Sequence, residues 1–205
     1  MIEQGTPEWF AQRLGKVTAS RVADIIAKTK TGAAASRGNY MAQLVAERLT
    51  GQPAESFKSA AMQFGTDTEP MARMAYETQI GMLVDEVAMI PHPTIEMSGA
   101  SPDGLVGHEG LVEIKCPNTS THIETLLEEK VPSKYVTQMM WQMACTGRAW
   151  CDFVSFDPRM PEDMQLFIKR VPRDNEMIAS LEAEVVKFLG ELDELLAKLL
   201  ERRSK

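Results

Sequence analysis

Ser101-Pro102-Asp103-Gly104, followed by Glu113-Ile114-Lys115-Cys116-Pro117 after nine residues that separate Asp103 from Glu113, is the stretch on which the fold turns. Side chains at i and i+2 share one face of a strand. Glu113 and Lys115 therefore point the same way, and Ile114 turns into the core. His108-Glu109-Gly110 supplies a turn that folds Asp103–Val106 back against Leu111–Lys115 as a hairpin. Two carboxylates and an ammonium then converge on one spot.

An acid, an acid and a lysine in a hairpin are commonly surface charges, and the bare pattern recurs by chance. The flanks argue for something else. Pro102, the tight Gly104, and apolar Leu111, Val112 and Ile114 describe a buried strand that carries charge at few places. Buried charges need partners, and a divalent cation is the natural one here. The trio suits binding Mg²⁺ and hydrolysing a phosphodiester.

Helices and further strands extend on both sides of the hairpin. Thr6 caps a helix that begins at Pro7 and runs to about Leu14, stopping near Gly15. Thr18-Ala19-Ser20 opens a short helix, 28–38 reads as a mobile polar loop, and 40–49 as an amphipathic helix ending at Gly51. A longer helical region over 59–79 is expected to kink or break at Glu69-Pro70. Strands are expected over 82–90 and 96–99. Asn118 caps a helix to about Glu128, and Pro132-Ser133 begins another that stops at Gly147. Strands over 150–156 and 165–171 precede a long helix from Asp174-Asn175 to about Arg203. Its Leu181, Val185, Leu189, Leu192, Leu196 and Leu199 form an apolar face, packed on the core or used between subunits. The order predicts an α/β fold in one domain over 1–205, a central mixed sheet flanked by helices.

Composition narrows the function classes. The 205 residues include 44% hydrophobic and 25% charged, ordinary for a globular chain. No apolar run reaches the roughly 20 residues that span a bilayer, and no basic region leads into an apolar stretch near Met1, so a cytoplasmic location is expected. The three cysteines show no C-x-x-C spacing, which argues for reduced thiols and against zinc or iron–sulfur ligation. A net charge of −7 opposes broad phosphate contact, yet a cation-dependent site needs acids. Most of the 14 methionines are expected in the core.

Taken together, these segments resemble the lambda-type phage exonucleases, the YqaJ group of the PD-(D/E)XK nuclease superfamily. The resemblance spans nearly the whole chain. It rests on Trp9-Phe10-Ala11-Gln12-Arg13-Leu14-Gly15 with Thr18-Ala19-Ser20, on Glu69, on the two blocks quoted first, on Tyr135–Gln138, and on Asp157-Pro158-Arg159-Met160. It implies a restriction-endonuclease-like core and an ATP-independent 5′-to-3′ exonuclease on linear double-stranded DNA. Mononucleotides would be released and a 3′ single strand left for phage recombination in a bacterial host. It further implies two Mg²⁺ ions, with Mn²⁺ as a substitute, a homotrimeric ring and a single-strand annealing protein as partner. A structure-specific or restriction-like endonuclease shares the bare motif and is the alternative.

Site roles follow from the residues and the resemblance together. Asp103, Glu113 and the Ile114 carbonyl are the expected metal ligands, and Lys115 orients or deprotonates the attacking water and offsets phosphate charge. By resemblance, Glu69 completes the metal site and Gln138 reaches it through its amide. Gln142 lies one turn further on the same face, and the family match alone selects Gln138. Arg13, Ser20 and Ser101 resemble a terminal 5′-phosphate pocket, which suits a guanidinium fork. Lys30 stands where a basic residue follows the duplex. Met62 corresponds to an apolar wedge in the family, although an interior position is the simpler expectation. His92, His108 and His122 lack ligand spacing and are assigned no chemistry.

Overall fold

The computed structural model describes residues 4–30, 32–54 and 59–203. The chain runs α1 (Pro7–Arg13), β1 (Val17–Thr18), a 3₁₀ turn (Ala19–Arg21), α2 (Val22–Ile26), β2 (Lys28–Thr29), β3 (Gly32–Ala33), α3 (Ala35–Thr50) and α4 (Ala60–Ile80). It continues through β4 (Val84–Asp85), β5 (Ile90–Pro91), β6 (Ser98–Ala100), β7 (Gly104–Val106), β8 (Gly110–Lys115), α5 (Thr119–Glu128) and α6 (Ser133–Thr146). β9 (Trp150–Phe156), a second 3₁₀ turn (Glu162–Met164), β10 (Leu166–Pro172) and α7 (Asn175–Arg203) close it.

A five-stranded sheet in the order β10-β9-β8-β7-β4 forms the centre. Its β8–β9 pair is parallel and its other pairs antiparallel, so the sheet is mixed, as expected. Alternation along β8 divides two cores. Val112 and Ile114 pack with Ala72 and Tyr76 of α4. Leu111 turns to the opposite face, where α2, α3, α6 and α7 gather around Trp141, Phe153 and Phe188. Gly104 is required for the close approach of β4, because a Cβ there would collide with the Val84 side chain.

Several boundaries depart from expectation. The single strand read over 82–90 is two short ones, β4 and β5. Val84 pairs with Val106 in the central sheet, whereas Ile90 pairs with Ala100 in a separate sheet, β1-β6-β5. The apolar run is visible in the sequence, but its division between two partners is not. The segment read as a loop over 28–38 contains the β2–β3 hairpin and the start of α3. α4 is one unbroken helix of 21 residues through Pro70. Pro70 is exposed, so the backbone carbonyl that loses its donor there is open to water.

The methionine expectation also fails. Met139, Met140 and Met143 are buried, but Met62 is 57% exposed, and Met71, Met74, Met82, Met97 and Met164 are exposed as well. On α7 the face from Ile178 to Leu192 is packed, while Leu195, Leu199 and Leu200 are exposed at its end. Cys116, Cys145 and Cys151 are free thiols, and among the described residues no helix is long and apolar enough to cross a membrane.

One buried polar group holds α4 to the sheet. Asp152, 2% exposed on β9, accepts the Tyr76 hydroxyl at 2.9 Å and two bonds from Arg170 at 2.8 and 2.9 Å. Asp152→Ala leaves the Tyr76 hydroxyl without its acceptor, although the exposed Arg170 regains water. The expected cost is about 2–3 kcal/mol, read as a lower urea midpoint at unchanged slope. An unchanged midpoint would remove this contact from the account of α4 docking.

Candidate active site

The β7–β8 hairpin places the acids. One step beyond the pair Gly104↔Val112, Asp103 comes opposite Glu113, and its Oδ2 accepts the Ile114 amide at 2.7 Å. Glu113 lies on the α6 side of β8 and is fully buried. Lys115, two residues on, forms an ion pair with Glu113 Oε1. The lysine side chain remains 27% exposed, so its ammonium can meet a ligand from solvent. The convergence expected of 103, 113 and 115 is present.

Electrostatics mark the group as strained for charge. Burial raises the Asp103 carboxyl pKa well above its ordinary range, and the neighbouring Glu113 raises it further. Burial alone would lower that of Lys115, but Glu113 and Asp103 outweigh it and hold the ammonium protonated. One lysine therefore faces two closely placed acids.

Helix α6 supplies the next layer. Its N-terminus follows Pro132 and it ends at Gly147 in the left-handed region, as read from the sequence. Gln138 donates to Glu113 Oε1 at 2.6 Å, in its expected place. Gln142, one turn further, donates to Glu113 Oε2 at 2.5 Å. The i, i+4 spacing revealed the shared face, and both glutamines bind Glu113, one at each oxygen.

Glu69 stands differently. Its carboxylate accepts from Arg73 at 3.1 Å on the same helix, and burial is the main cause raising its pKa. Lys115 and Glu113 are also close enough to influence it. Among the described residues no three His, Cys, Asp or Glu side chains form a ready-made metal cluster. Glu69 is thus a neighbour of the acid–lysine group that is held by Arg73.

The expected phosphate residues also assemble. Arg13 Nη1 donates to Ser101 Oγ at 3.0 Å, and its guanidinium lies 4.1 Å from the Trp9 ring centroid. No carboxylate forms an ion pair with Arg13 among the described residues. The turn after α1 is fixed from α3, where Glu47 accepts the Gly15 amide and Arg48 donates to the Gly15 carbonyl, both at 2.9 Å. Ser20 lies in the first 3₁₀ turn and is exposed.

A cavity of about 140 Å³ joins the two sets. Arg13, Ser20 and Ser101 line one part, and Asp103, Glu113, Lys115 and Gln138 another. Trp9 also lines it, with a buried indole N–H that has no hydrogen-bond partner among the described residues. Lys30 is exposed beside the β2–β3 hairpin and is not part of this lining.

The remaining motif blocks have structural work. Burial would raise the Asp157 carboxyl, but hydrogen bonds from Arg159 and Thr119 prevail and hold its pKa at about 2. Arg159 also donates to the Pro117 carbonyl at 3.0 Å and lies over Phe64. This ties the chain after β8 to α4. His122 is buried between Ser155 Oγ and the Met164 carbonyl, and His92 between the 94–95 backbone amides and Glu182. Both rings are occupied by bonds within the fold.

Among curated proteins no relative matches the chain. The alkaline exonuclease LHK-Exo from Laribacter hongkongensis is 56% identical over 97% of this chain and 98% of its own, with a TM-score of 0.91. Its complex with dAMP superposes with a TM-score of 0.92 at the same identity. A phage-related exonuclease from Haemophilus somnus 129PT is 18% identical over 90% of this chain and 96% of its own, with a TM-score of 0.73, a likeness of fold. Residues 8–149, from α1 through α6, match the YqaJ-like viral recombinase domain. With the acid–lysine hairpin, the α6 glutamines and the Arg13 pocket all inside or bordering that span, the chain belongs to the YqaJ-like viral recombinase family.

Proposed function

We propose that this chain is an Mg²⁺-dependent, ATP-independent exonuclease that degrades linear double-stranded DNA from the 5′ end. It releases mononucleotides and leaves a 3′ single strand for recombination. The observation that carries this reading is the shared cavity: a guanidinium without an ion-pair partner among the described residues, with two hydroxyls, borders the same space as two acids and a lysine. A terminal phosphate held by Arg13, Ser20 and Ser101 sets the distance from the chain end to the bond that is cut. The alkaline exonuclease LHK-Exo and its complex with dAMP, a mononucleotide, support the same reaction.

The donor set fits a hard divalent cation. Asp103 and Glu113 offer carboxylate oxygens, the Ile114 carbonyl lies between Glu113 and Lys115 in the chain, and a single ammonium leaves the acids uncompensated. Glu69 joins them by exchanging its bond to Arg73. Two Mg²⁺ ions, with Mn²⁺ as substitute, are the proposed complement; when bound they make water more acidic and stabilise charge on the phosphate. Lys115, held protonated by Glu113 and Asp103, orients the attacking water by donating to it and offsets charge as the phosphate becomes pentavalent. Gln138 keeps Glu113 turned toward the site. This is the core logic of a PD-(D/E)XK nuclease.

The same reading includes a homotrimeric ring. Exposed Met71 and Met74 on α4, and Leu195, Leu199 and Leu200 at the end of α7, are apolar surface that a neighbouring copy would cover. Lys30 would follow the duplex, and Met62, exposed at the start of α4, would meet the terminal base pair. A single-strand annealing partner and action in a bacterial cytoplasm rest on family membership.

Digestion assays test the proposal directly. A 5′-phosphorylated linear duplex is degraded with Mg²⁺ and protected by EDTA, a 5′-hydroxyl duplex is degraded more slowly, and a covalently closed circle survives. Loss of the circle would replace this reading with an endonuclease. Arg13→Ala lowers kcat/KM on the phosphorylated end by about 10- to 100-fold, the value of a charge-assisted bond, and leaves the 5′-hydroxyl rate near wild type. Equal losses on both ends would remove Arg13 from the phosphate pocket.

A further inference from the structure

Glu113 is the most completely held side chain of the site. It has no exposed surface, and donors occupy both of its oxygens: Gln138 and Lys115 at Oε1, and Gln142 at Oε2. Gln142 is itself fully buried. Its amide presents the N–H₂ end to Glu113, whose Oε2 accepts. The amide oxygen then faces Cys151, whose Sγ lies 3.9 Å away on β9 and equally 3.9 Å from the Asp152 carbonyl, so the thiol proton is shared between two acceptors. Burial keeps that thiol protonated and able to donate. Cys151, Gln142 and Glu113 thus form a directed chain from the sheet to the acid.

We propose that Gln142 is a positioning residue for metal binding, fixing the plane of the Glu113 carboxylate through Oε2 while Cys151 fixes the far end of the amide. The terminal torsion of a glutamate is broad and roughly two-fold. With Oε1 alone held, the carboxylate can turn about that contact and remove its second oxygen from the site. A donor on each oxygen prevents this. A neutral amide does so without cancelling the negative charge that a cation needs, which a second lysine would do. Residues that orient a metal ligand typically change affinity or rate by about 10- to 100-fold. The inference rests on the nuclease reading above and assigns it a residue that α6 sequence spacing left undecided.

The test uses the full chain and separates this role from simple core filling. Mn²⁺ is titrated calorimetrically into DNA-free protein, kcat and KM are measured on 5′-phosphorylated linear duplex with Mg²⁺, and melting is followed without metal. Gln142→Met, close in volume but without a donor, is expected to weaken Mn²⁺ binding and to lower kcat by about 10- to 100-fold each, with KM for DNA unchanged. Cys151→Ala shifts both in the same direction by less. Where Gln142→Met does not fold, Gln142→Asn is read in its place, since it keeps the amide one methylene short of Glu113. Unchanged Mn²⁺ affinity and kcat in a folded variant overturn the proposal, whatever happens to its melting temperature. Wild-type protein that neither binds Mn²⁺ nor cuts DNA sinks the nuclease reading itself, whereas wild-type protein that does both beside an unaffected variant sinks only the role of Gln142.

Discussion

Lys115→Ala lowers the rate of DNA hydrolysis by about 10³-fold, at the upper end of what removal of one transition-state donor costs. The effect is large because the ammonium has two tasks. It is the positive group paired with Glu113 inside the hairpin, and its partial exposure lets it face the phosphate. Without it, Glu113 and Asp103 confront each other with only amide donors around them. DNA binding, measured by anisotropy with Ca²⁺ in place of Mg²⁺, should stay within a few-fold of wild type, since the Arg13 pocket is untouched. Full activity in the alanine variant would exclude Lys115 from the chemistry.

Asp103→Asn produces the second large effect, and it has opposite signs with and without metal. Burial and the nearby Glu113 raise the Asp103 pKa above its ordinary 3.8. The folded state then holds this proton more tightly than the unfolded chain, so its contribution is most favourable below about pH 3.8 and declines as pH rises through the raised value. Near neutral pH, well above the unfolded value, Asp103 therefore opposes folding when no cation is bound. The asparagine variant keeps the size, removes the charge, and should raise metal-free melting by about 2–4 °C per kcal/mol relieved. The same variant should lose at least about 100-fold in Mn²⁺ affinity and with it the thermal shift on adding Mn²⁺. A metal-free melting temperature that falls instead would show that Asp103 serves the hairpin through its bond to the Ile114 amide more than it serves the site.

The two variants together describe a site that costs stability for function, with Asp103 destabilising the metal-free fold and Lys115 limiting that cost. Their contrast would also test for a cation requirement without a DNA substrate.

Local signals suffice in the catalytic hairpin. Period-two alternation placed Glu113 and Lys115 on one face and Ile114 in the α4-side core. The caps behaved likewise. Thr6 accepts the Trp9 amide, Asn118 that of Thr121, and Asp174 those of Glu176 and Met177, so each helix begins where its capping residue stands. Such bonds close over three residues or fewer and need no other part of the fold. Failures gather where a choice depends on a distant partner. β4 and β5 read as one strand because their hydropathy is continuous, although they join different sheets. The methionines of α4 read as core because they are apolar, although the interior is filled there by Ala72 and Tyr76.

Sequence alone therefore determined the acid–lysine hairpin, the capped starts of α1, α5 and α7, and the family, since these follow from side-chain alternation, capping and ordered motifs along one stretch of chain. The uncapped α3 instead begins at Ala35, inside the segment read as a loop. Only the tertiary structure decided that Gln138 and Gln142 hold opposite oxygens of Glu113 and that Arg13 meets Ser101 beside the acids. Contacts between residues 13 and 101, or 113 and 142, are chosen by how the layers pack against one another, and hydrogen-bond geometry then admits one arrangement among residues of the same chemical type.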